Sequence, residues 1–249
     1  MALRAVLRDS FYDSLSADNR LLTLSRPVAG ASVWLRAQRL KARLGPVGVE
    51  RLDGIVVINL GDRRDRLRGF EKEMRRLGIS DYTRFEAIRD TPGILGCTRS
   101  HAESLRQVVQ SGWACALICE DDARFRVSRR ELDVLVDAFL ADSNAEVACL
   151  AYHHCEPPSR YNTLFVRAPR DTRTASCYLV KASIVPDLLA LFDGGARELA
   201  GGEDRSVHGV DRVWSQLIVS RVFLLPIRRA AAQAANYSDI ENKFVSYGV

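Results

Sequence analysis

The sequence lacks any apolar run of the roughly 20 residues that a membrane-spanning helix needs. Its first seven residues are interrupted by Arg4 and do not have the composition of a secretory signal peptide. Its six cysteines form no Cys-x-x-Cys pair, and most lie in or beside apolar runs, where a thiol behaves as a small hydrophobic group. We therefore expect a soluble cytoplasmic protein with reduced core cysteines, at most peripheral to the inner face of a membrane.

The sequence also has no Walker A loop and no Gly-x-Gly-x-x-Gly fingerprint. There is no internal repeat, and low complexity is confined to the alanine-rich residues 230–235. The net charge of +5 and the pI near 9.0 suit an acidic partner: a sugar nucleotide, an anionic membrane surface or a nucleic acid. Charge alone does not choose among these three.

Residues 1–52 lack the alternation of strands and helices that follows, and we interpret them as a helical N-terminal extension. Within it, residues 33–44 interleave apolar side chains with arginine and lysine, a pattern typical of an amphipathic helix. Packing of its apolar side on the main domain is favoured over a membrane-surface helix. Glycine and proline at positions 45, 46 and 48 then mark a break, and residues 53–249 form the predicted main domain.

From residue 55 onward, apolar strands and amphipathic helices alternate. Residues 55–60 form a continuous β-branched run, typical of a parallel strand buried on both faces. A helix follows, with Asp62 as its expected N-cap and Gly78 at its end. Further strands are predicted over residues 82–88, 114–119, 147–152, 163–166 and 176–180. Further helices are predicted from the capping boxes Ser100/Glu103 and Ser128/Glu131 and over residues 184–192 and 210–219. This alternation predicts an α/β sandwich.

Three adjacent carboxylates, Glu120, Asp121 and Asp122, follow directly on the apolar residues 116–119. Ligands of open α/β sheets bind beyond the carboxyl ends of the strands, where this acidic run is expected to lie. If the extended geometry persists, Glu120 and Asp122 point to one side and Asp121 to the other. Such oxygens suit a hard cation such as Mg²⁺ or Mn²⁺, which stabilises the negative charge that develops on a diphosphate leaving group. The alternative is a solvated turn with an N-cap aspartate before the next helix.

Several segments, in fixed order over residues 54–240, resemble glycosyltransferase family 25, which includes bacterial lipooligosaccharide galactosyltransferases and the collagen galactosyltransferases. Three blocks carry the resemblance: Val57-Ile58-Asn59-Leu60 with the Arg-x-Asp-Arg turn at residues 63–66, Gly96-Cys97-Thr98-Arg99-Ser100-His101, and residues 117–122 with Phe125. Weaker matches are residues 175–180, Val210-Asp211 and residues 233–240. The chain departs from the family's pattern at Thr98, Arg99 and Cys119 and in its N-terminal extension.

The resemblance implies a GT-A type, Rossmann-like α/β/α fold and the inverting transfer of a hexose, most often galactose, from a UDP-sugar to an acceptor hydroxyl. Transferred to this sequence, it puts six residues at the donor: Asn59, Leu60, Arg66, Ser100, His101 and Asp121. It assigns the metal, Mn²⁺ or Mg²⁺, to Glu120 and Asp122. The implied pathway is biosynthesis of a surface glycan such as lipopolysaccharide, with a glycan, lipid-linked or small-molecule acceptor and no nucleic acid partner.

An inverting transfer needs a base that takes the proton of the acceptor hydroxyl. Asp211, in the late aspartate segment of the resemblance, is the first candidate, with Asp204 and Glu203 as alternatives. An N-cap role for Asp211 in the helix that follows is the structural alternative, and the two roles are compatible. For His101, a buried hydrogen-bonded core histidine is the alternative to a substrate contact.

Other functions stay open at this point. A metal-dependent enzyme that cleaves phosphodiesters also fits a basic chain with clustered carboxylates, although the sequence has no second acidic cluster with an obvious two-metal arrangement. A catalytically silent sugar-nucleotide binding protein, or a scaffold, would keep the acidic run and lack the base. His153, His154 and Cys155 invite a zinc site, but adjacent histidines point apart on an extended chain and the sequence offers no evident fourth ligand.

Overall fold

The computed structural model describes residues 45–154, 156–240 and 243–246. The chain divides into two units, Met1–Arg51 and Leu52–Val249. The described part of the first unit contains a 3₁₀ helix, Gly48–Arg51. The helical extension predicted for residues 1–52, with its amphipathic residues 33–44, otherwise lies outside the described residues.

The second unit alternates strands and helices. Its strands are β1 (Gly54–Asn59), β2 (Thr83–Glu86), β3 (Cys115–Glu120), β4 (Ala123–Phe125), β5 (Val147–Cys149), β6 (Ser159–Arg160), β7 (Phe165–Arg167), β8 (Cys177–Lys181), β9 (Phe223–Pro226), β10 (Ala231–Gln233), β11 (Asn236–Ser238) and β12 (Lys243–Val245). Its helices are α1 (Arg64–Arg76), α2 (Gly93–Gln110), α3 (Arg129–Ala141), α4 (Val185–Ala200), α5 (Arg205–His208), α6 (Val210–Val213) and α7 (Ser215–Ile218), with a 3₁₀ turn Ala182–Ile184 before α4. Among the helices that the structure describes, none has the length and apolar character needed to cross a membrane.

Within the described residues, eight strands form one mixed sheet in the order β2-β1-β3-β8-β5-β9-β7-β6. β1 is parallel to both β2 and β3, and β5 is parallel to β9. β8 runs antiparallel between β3 and β5. Two ribbons, β4 with β10 and β11 with β12, form separate small sheets. Because β1 and β3 are parallel neighbours with Ile58 opposite Glu120, their carboxyl ends meet at one edge of the main sheet.

Helices flank the sheet in two layers. Val56 and Ile58 of β1 pack in one buried cluster with Leu105 of α2 and side chains of α4. Because side chains alternate along a strand, the intervening buried Val57 faces the other side of the sheet. α1 and α3 bury aromatic side chains, such as the fully buried Phe139, outside that cluster. The predicted α/β sandwich is confirmed.

The predicted ends of several helices are also confirmed. Gly78, the predicted end of α1, has a φ of 64°, in the left-handed region that glycine adopts at lower cost than other residues. Gly112 ends α2 in the same way, with a φ of 66°. Ser128 and Glu131 form the predicted capping box at the start of α3: the Glu131 amide donates to Ser128 Oγ at 3.3 Å, and the Ser128 amide donates to Glu131 Oε2 at 2.7 Å.

Three local predictions are wrong. Asp62 does not cap α1, because its carboxylate accepts hydrogen bonds from Arg89 at 2.6 and 2.7 Å instead. Ser100 does not open a helix, because α2 already begins at Gly93, after an extended Pro92, and runs through Ser100. The helix predicted over residues 210–219 is two short helices that meet at Trp214, whose indole N–H donates to the carbonyl oxygen of Thr172 at 3.2 Å.

Candidate functional site

A pocket of about 510 Å³ lies at the carboxyl ends of β1 and β3. Residues 87–92, between β2 and α2, form one wall together with Gly93 at the start of α2. Asn236, residues 238–240 and Val245 form another. The predicted site residues that line the pocket are Leu60, Arg66, Ser100, Glu120, Asp121 and Asp122. The lining that the structure describes does not include Asn59, His101 or Asp211.

Glu120 is the last residue of β3, and Asp121 and Asp122 form the turn that leads into β4. The Nη2 atom of Arg66 lies 2.5 Å from Asp121 Oδ1 and 2.7 Å from Asp122 Oδ2. The two aspartates therefore face the same guanidinium. The division expected for a continuing strand, with Asp121 on the side opposite to Asp122, does not apply, because the chain turns after Glu120.

Asn59, at the end of β1, lies behind this turn. Its side chain is 1% exposed and donates to Asp121 Oδ2 at 2.6 Å and to the carbonyl oxygen of Arg63 at 3.0 Å. Its amide oxygen accepts a hydrogen bond from Arg84 Nε at 2.9 Å. Asn59 was predicted as a donor-binding residue, and the structure shows it orienting Asp121 from below the pocket.

The acidic turn carries more negative charge than its surroundings neutralise. Burial, strengthened by the charge of Glu120 and opposed by Arg66, raises the pKa of Asp122 to about 7. Burial likewise raises the pKa of Asp121 to about 6, although Arg66 and Asn59 oppose it. Among the described residues, the buried Oδ1 of Asp122 has no hydrogen-bond partner. A buried carboxylate oxygen without a partner is costly, and a bound cation would satisfy it, so the donor set fits a divalent cation at this point.

The C-terminal wall is tied to the acidic turn and to α1. Arg63 Nη1 donates to the carbonyl oxygen of Tyr237 at 3.0 Å and forms an ion pair with Asp239. The amide of Ala234 donates to the carbonyl oxygen of Asp122 at 2.8 Å. These contacts join segments that are far apart in the sequence, and they hold the C-terminal wall beside the acidic turn.

Ser100 connects the wall formed by the loop before α2 to the helix itself. Its hydroxyl donates to the carbonyl oxygen of Gly96 at 2.7 Å and accepts a hydrogen bond from the amide of Ile88 at 2.8 Å. Ser100 is 0% exposed, so it acts on the pocket mainly by fixing the loop of residues 87–93. The pattern Ser-x-x-Glu predicts a helix N-cap, but the hydroxyl of Ser100 instead binds the backbone of this loop.

His101 is fully buried and contacts Glu120 from below the pocket. Its Nε2 lies 3.2 Å from Glu120 Oε1, and its Nδ1 lies 3.1 Å from the hydroxyl of Tyr178. The Sγ of Cys97 lies 3.7 Å from the same Oε1 of Glu120. Burial opposes ionisation of Glu120, but the hydrogen bond from His101 holds the pKa of Glu120 below its usual range.

The donor atoms of Cys97, His101 and Glu120 all lie within 4.8 Å of one another, so the three side chains form a cluster that can hold a metal ion. The apolar surroundings of Cys97 in the sequence predict an ordinary core thiol, so this cluster was not predicted. The signal that points to it is the spacing of Cys97 and His101, which puts both on one face of a helix.

Asp211 lies in α6, on the side of the site near Cys97. Its Oδ2 accepts a hydrogen bond from the amide of Thr174 at 3.0 Å, and Thr174 has a φ of 82°. The N-cap of α6 is Gly209, which makes no side-chain bond, so the N-cap interpretation of Asp211 is wrong. Asp204 caps α5, accepting from the amide of Ser206 at 2.8 Å. The role of Asp211 as a base stays a prediction.

The proposed zinc triplet is only partly described, because Cys155 lies outside the described residues. The backbone of His153 pairs with that of Arg173, and the ring of His154 stacks on Tyr152 with centroids 5.8 Å apart. The zinc interpretation of these residues stays untested.

No protein-family model and no curated protein sequence matches the chain. Among solved structures, it is similar to a glycosyltransferase involved in the glycosylation of the major capsid of PBCV-1, with 11% identity, a TM-score of 0.40, and coverage of 76% of this chain and 95% of that one. It is similar to A197 from STIV, with 9% identity, a TM-score of 0.42, and coverage of 77% and 91%. It is also similar to mannose-1-phosphate geranyltransferase from Thermus thermophilus, with 10% identity, a TM-score of 0.40, and coverage of 70% and 73%.

Proposed function

We propose that the protein is an inverting glycosyltransferase of the GT-A type that transfers a hexose, galactose first among the candidates, from a UDP-sugar to an acceptor hydroxyl. The observation that carries this proposal is the buried Asp122 Oδ1 without a partner, in an acidic turn that faces a pocket of about 510 Å³. The resemblance to glycosyltransferase family 25 supports the donor class and the inversion. It also supports a role in surface glycan biosynthesis.

Asp122 through Oδ1, and Glu120 through the Oε2 that is free of His101, are the residues that would hold Mn²⁺ or Mg²⁺. When bound, the cation supplies positive charge at the diphosphate leaving group, where negative charge develops as the bond to the sugar breaks. Glu120 Oε2 lies 3.4 Å from Gln233 Nε2, which helps to orient it. A neutral amide partner leaves the negative charge of Glu120 available to the cation.

The remaining residues of the pocket bind, orient and exclude water. Arg66 and Asn59 fix Asp121 and Asp122, so the cation ligands are preorganised before the donor arrives. The two walls shield the bond to be broken from bulk water, which would otherwise hydrolyse the donor. Asp211 is our candidate for the base that accepts the proton of the acceptor hydroxyl as it attacks the sugar carbon.

The first experiment is calorimetric titration of the protein with a panel of UDP-sugars and UDP, each with and without Mn²⁺. We expect one UDP-hexose to bind only with the metal, and Asp122→Asn to abolish that binding while Asp81→Asn, at an exposed carboxylate, leaves it intact. Unchanged affinity for UDP with Mn²⁺ in Asp122→Asn would remove the acidic turn from the mechanism. No binding of any nucleotide by the folded protein would favour a phosphodiester-cleaving enzyme or a scaffold.

The second experiment addresses the base. Asp211→Asn should lower the rate of transfer by about 10²–10⁴-fold, the usual contribution of a general base, while donor affinity changes little. Transfer and donor affinity are measured on the same preparation. Full transfer activity in this variant would make Asp211 structural, as the anchor of the Thr174 amide.

A further inference from the structure

Three donor atoms of different chemistry converge beneath the pocket. Cys97 and His101 are one helical turn apart on α2, and Glu120 reaches them from the end of β3. Sγ of Cys97, Nε2 of His101 and Oε1 of Glu120 lie within 4.8 Å of one another. A thiol, an imidazole and a carboxylate are the three ligand types that zinc takes from proteins.

The distances fit one tetrahedral ion. With the usual bond lengths of Zn²⁺ to nitrogen, oxygen and sulfur, tetrahedral ligands lie about 3.4 Å apart for a nitrogen–oxygen pair and about 3.6 Å apart for a sulfur–oxygen pair. The corresponding distances to Glu120 Oε1 are 3.2 Å from His101 and 3.7 Å from Cys97. These two distances are within about 0.2 Å of the tetrahedral values. The third pair, Cys97 Sγ and His101 Nε2, lies within 4.8 Å, so it closes on a common centre by small rotations of the two side chains.

The surroundings of His101 also fit a metal ligand. Metal-binding histidines usually donate their second ring N–H to an oxygen, which fixes the tautomer. The hydroxyl of Tyr178 lies 3.1 Å from Nδ1 of His101 and is fully buried with it. When Nε2 binds the ion, its proton moves to Nδ1 and is donated to the oxygen of Tyr178, so this step releases no proton.

The cluster is closed on one side and open on the other. His101 is 0% exposed, whereas Cys97 and Glu120 both line the pocket. Three protein ligands with a fourth position that faces a cavity are typical of zinc sites that bind water or substrate.

We propose that Cys97, His101 and Glu120 form a site for a borderline-soft divalent cation, Zn²⁺ first, with its fourth position open to the pocket. Binding breaks the S–H bond of Cys97, and one proton per ion passes to solvent as the sulfur–metal bond forms. Thiolate and imidazole ligands select Zn²⁺, Co²⁺ or Fe²⁺ over Mg²⁺ and Ca²⁺. This site shares Glu120 with the Mn²⁺ or Mg²⁺ position proposed above, but it uses the other carboxylate oxygen, Oε1, and needs neither nucleotide nor sugar.

The test is titration of the chelator-treated, full-length protein with Co²⁺, followed by absorption, and with Zn²⁺ in competition with a chromophoric chelator. The wild-type protein should bind one Co²⁺ with a thiolate-to-metal charge-transfer band in the near ultraviolet. Cys97→Ser should lose this band, whereas Cys115→Ser, the same change at a buried thiol outside the cluster, should keep it. Circular dichroism of each variant verifies that it is folded.

The variant Tyr178→Phe distinguishes a metal site from a cluster whose side chains only form hydrogen bonds with one another. Since it removes the oxygen that orients His101 and leaves all three ligands, it should weaken Zn²⁺ binding by about 10–100-fold. Loss of Cys97 itself should weaken it by more than about 100-fold, because a ligand is removed outright. A wild-type protein without a thiolate band, or a band that persists in Cys97→Ser, would overturn the proposal and leave a hydrogen-bonded relay of Tyr178, His101 and Glu120.

Discussion

At the scale of single residues, Arg66 offsets part of the negative charge of the acidic turn, because its guanidinium contacts both Asp121 and Asp122 and is only 15% exposed. Arg66→Ala leaves two buried carboxylates without their cation, and removal of one partner of a buried pair costs about 3–5 kcal/mol. Because Arg66 holds down the raised pKa values of Asp121 and Asp122, about 6 and about 7, protonation relieves part of this cost at neutral pH, and urea denaturation should show the full loss in alkaline buffer. Arg75→Ala, at a 71% exposed arginine of the same helix, should change the free energy of unfolding by less than about 1 kcal/mol. Equal effects of the two changes would refute a buried role for Arg66.

How much of the site could be predicted from the sequence depends on how far apart its residues lie. The acidic run was found because its three carboxylates are adjacent and follow a buried strand. The contacts that organise it could not be found, because Arg63 with Asp239 and Asn59 with Asp121 join distant segments. Asn59 was recognised as important, but its role as a support below the pocket depends on the register of β1 and β3.

At the scale of elements, two glycines in helix interiors should respond to the same substitution with opposite signs. A Cβ at Gly96 in α2 would overlap the carbonyl oxygen of Ile88 and lie 3.0 Å from the amide nitrogen of Asp90, so the pocket loop would have to move. A Cβ at Gly194 in α4 would meet only a distant arginine nitrogen, at 3.9 Å. Gly194→Ala should therefore stabilise the protein by about 0.5–1 kcal/mol, whereas Gly96→Ala should destabilise it and weaken ligand binding in the pocket. Thermal unfolding with calorimetric titration measures both effects, and stabilisation by Gly96→Ala would contradict the packing described here.

The two Ser-x-x-Glu patterns look alike in the sequence and do different things in the structure. Ser128 caps α3, and Ser128→Ala should cost about 1 kcal/mol without any effect on ligand binding. Ser100 holds the amide of Ile88, and Ser100→Ala leaves that donor without its partner, at a cost of about 1–3 kcal/mol and with weaker binding in the pocket. Urea denaturation and calorimetry of both variants check this contrast. A loss of ligand binding in Ser128→Ala would contradict this contrast.

The sequence could not distinguish the two Ser-x-x-Glu patterns, because Pro92, well upstream of Ser100, decides where α2 begins.

At the scale of the whole molecule, the alternation of strands and helices predicts the α/β class but not the order of the strands. β8 is inserted antiparallel between β3 and β5, so the sheet departs from the parallel arrangement that the continuous apolar strands indicated. Strand order is decided by pairings between distant segments, and the buried strands β1, β3, β5, β8 and β9 are each apolar enough to fit several central positions. The predicted location of the site does not depend on the full strand order, since it needs only the parallel neighbours β1 and β3.

The centre of the sheet offers a test of whether the second unit unfolds as one cooperative body. Four of the described thiols, all at most 3% exposed, lie on three neighbouring strands: Cys115, Cys119, Cys149 and Cys177. In a protein with Cys97→Ser and Cys155→Ser, these thiols should react with a thiol reagent only through unfolding, at rates that follow the free energy from urea denaturation. Leu105→Ala, in the adjoining core, should cost about 2–5 kcal/mol and speed the labelling of all four by the same factor, at least about 30-fold. Mass spectrometry resolves the four sites. If one strand were labelled much faster than the others, that strand would open locally, and the sheet would not be a single cooperative unit.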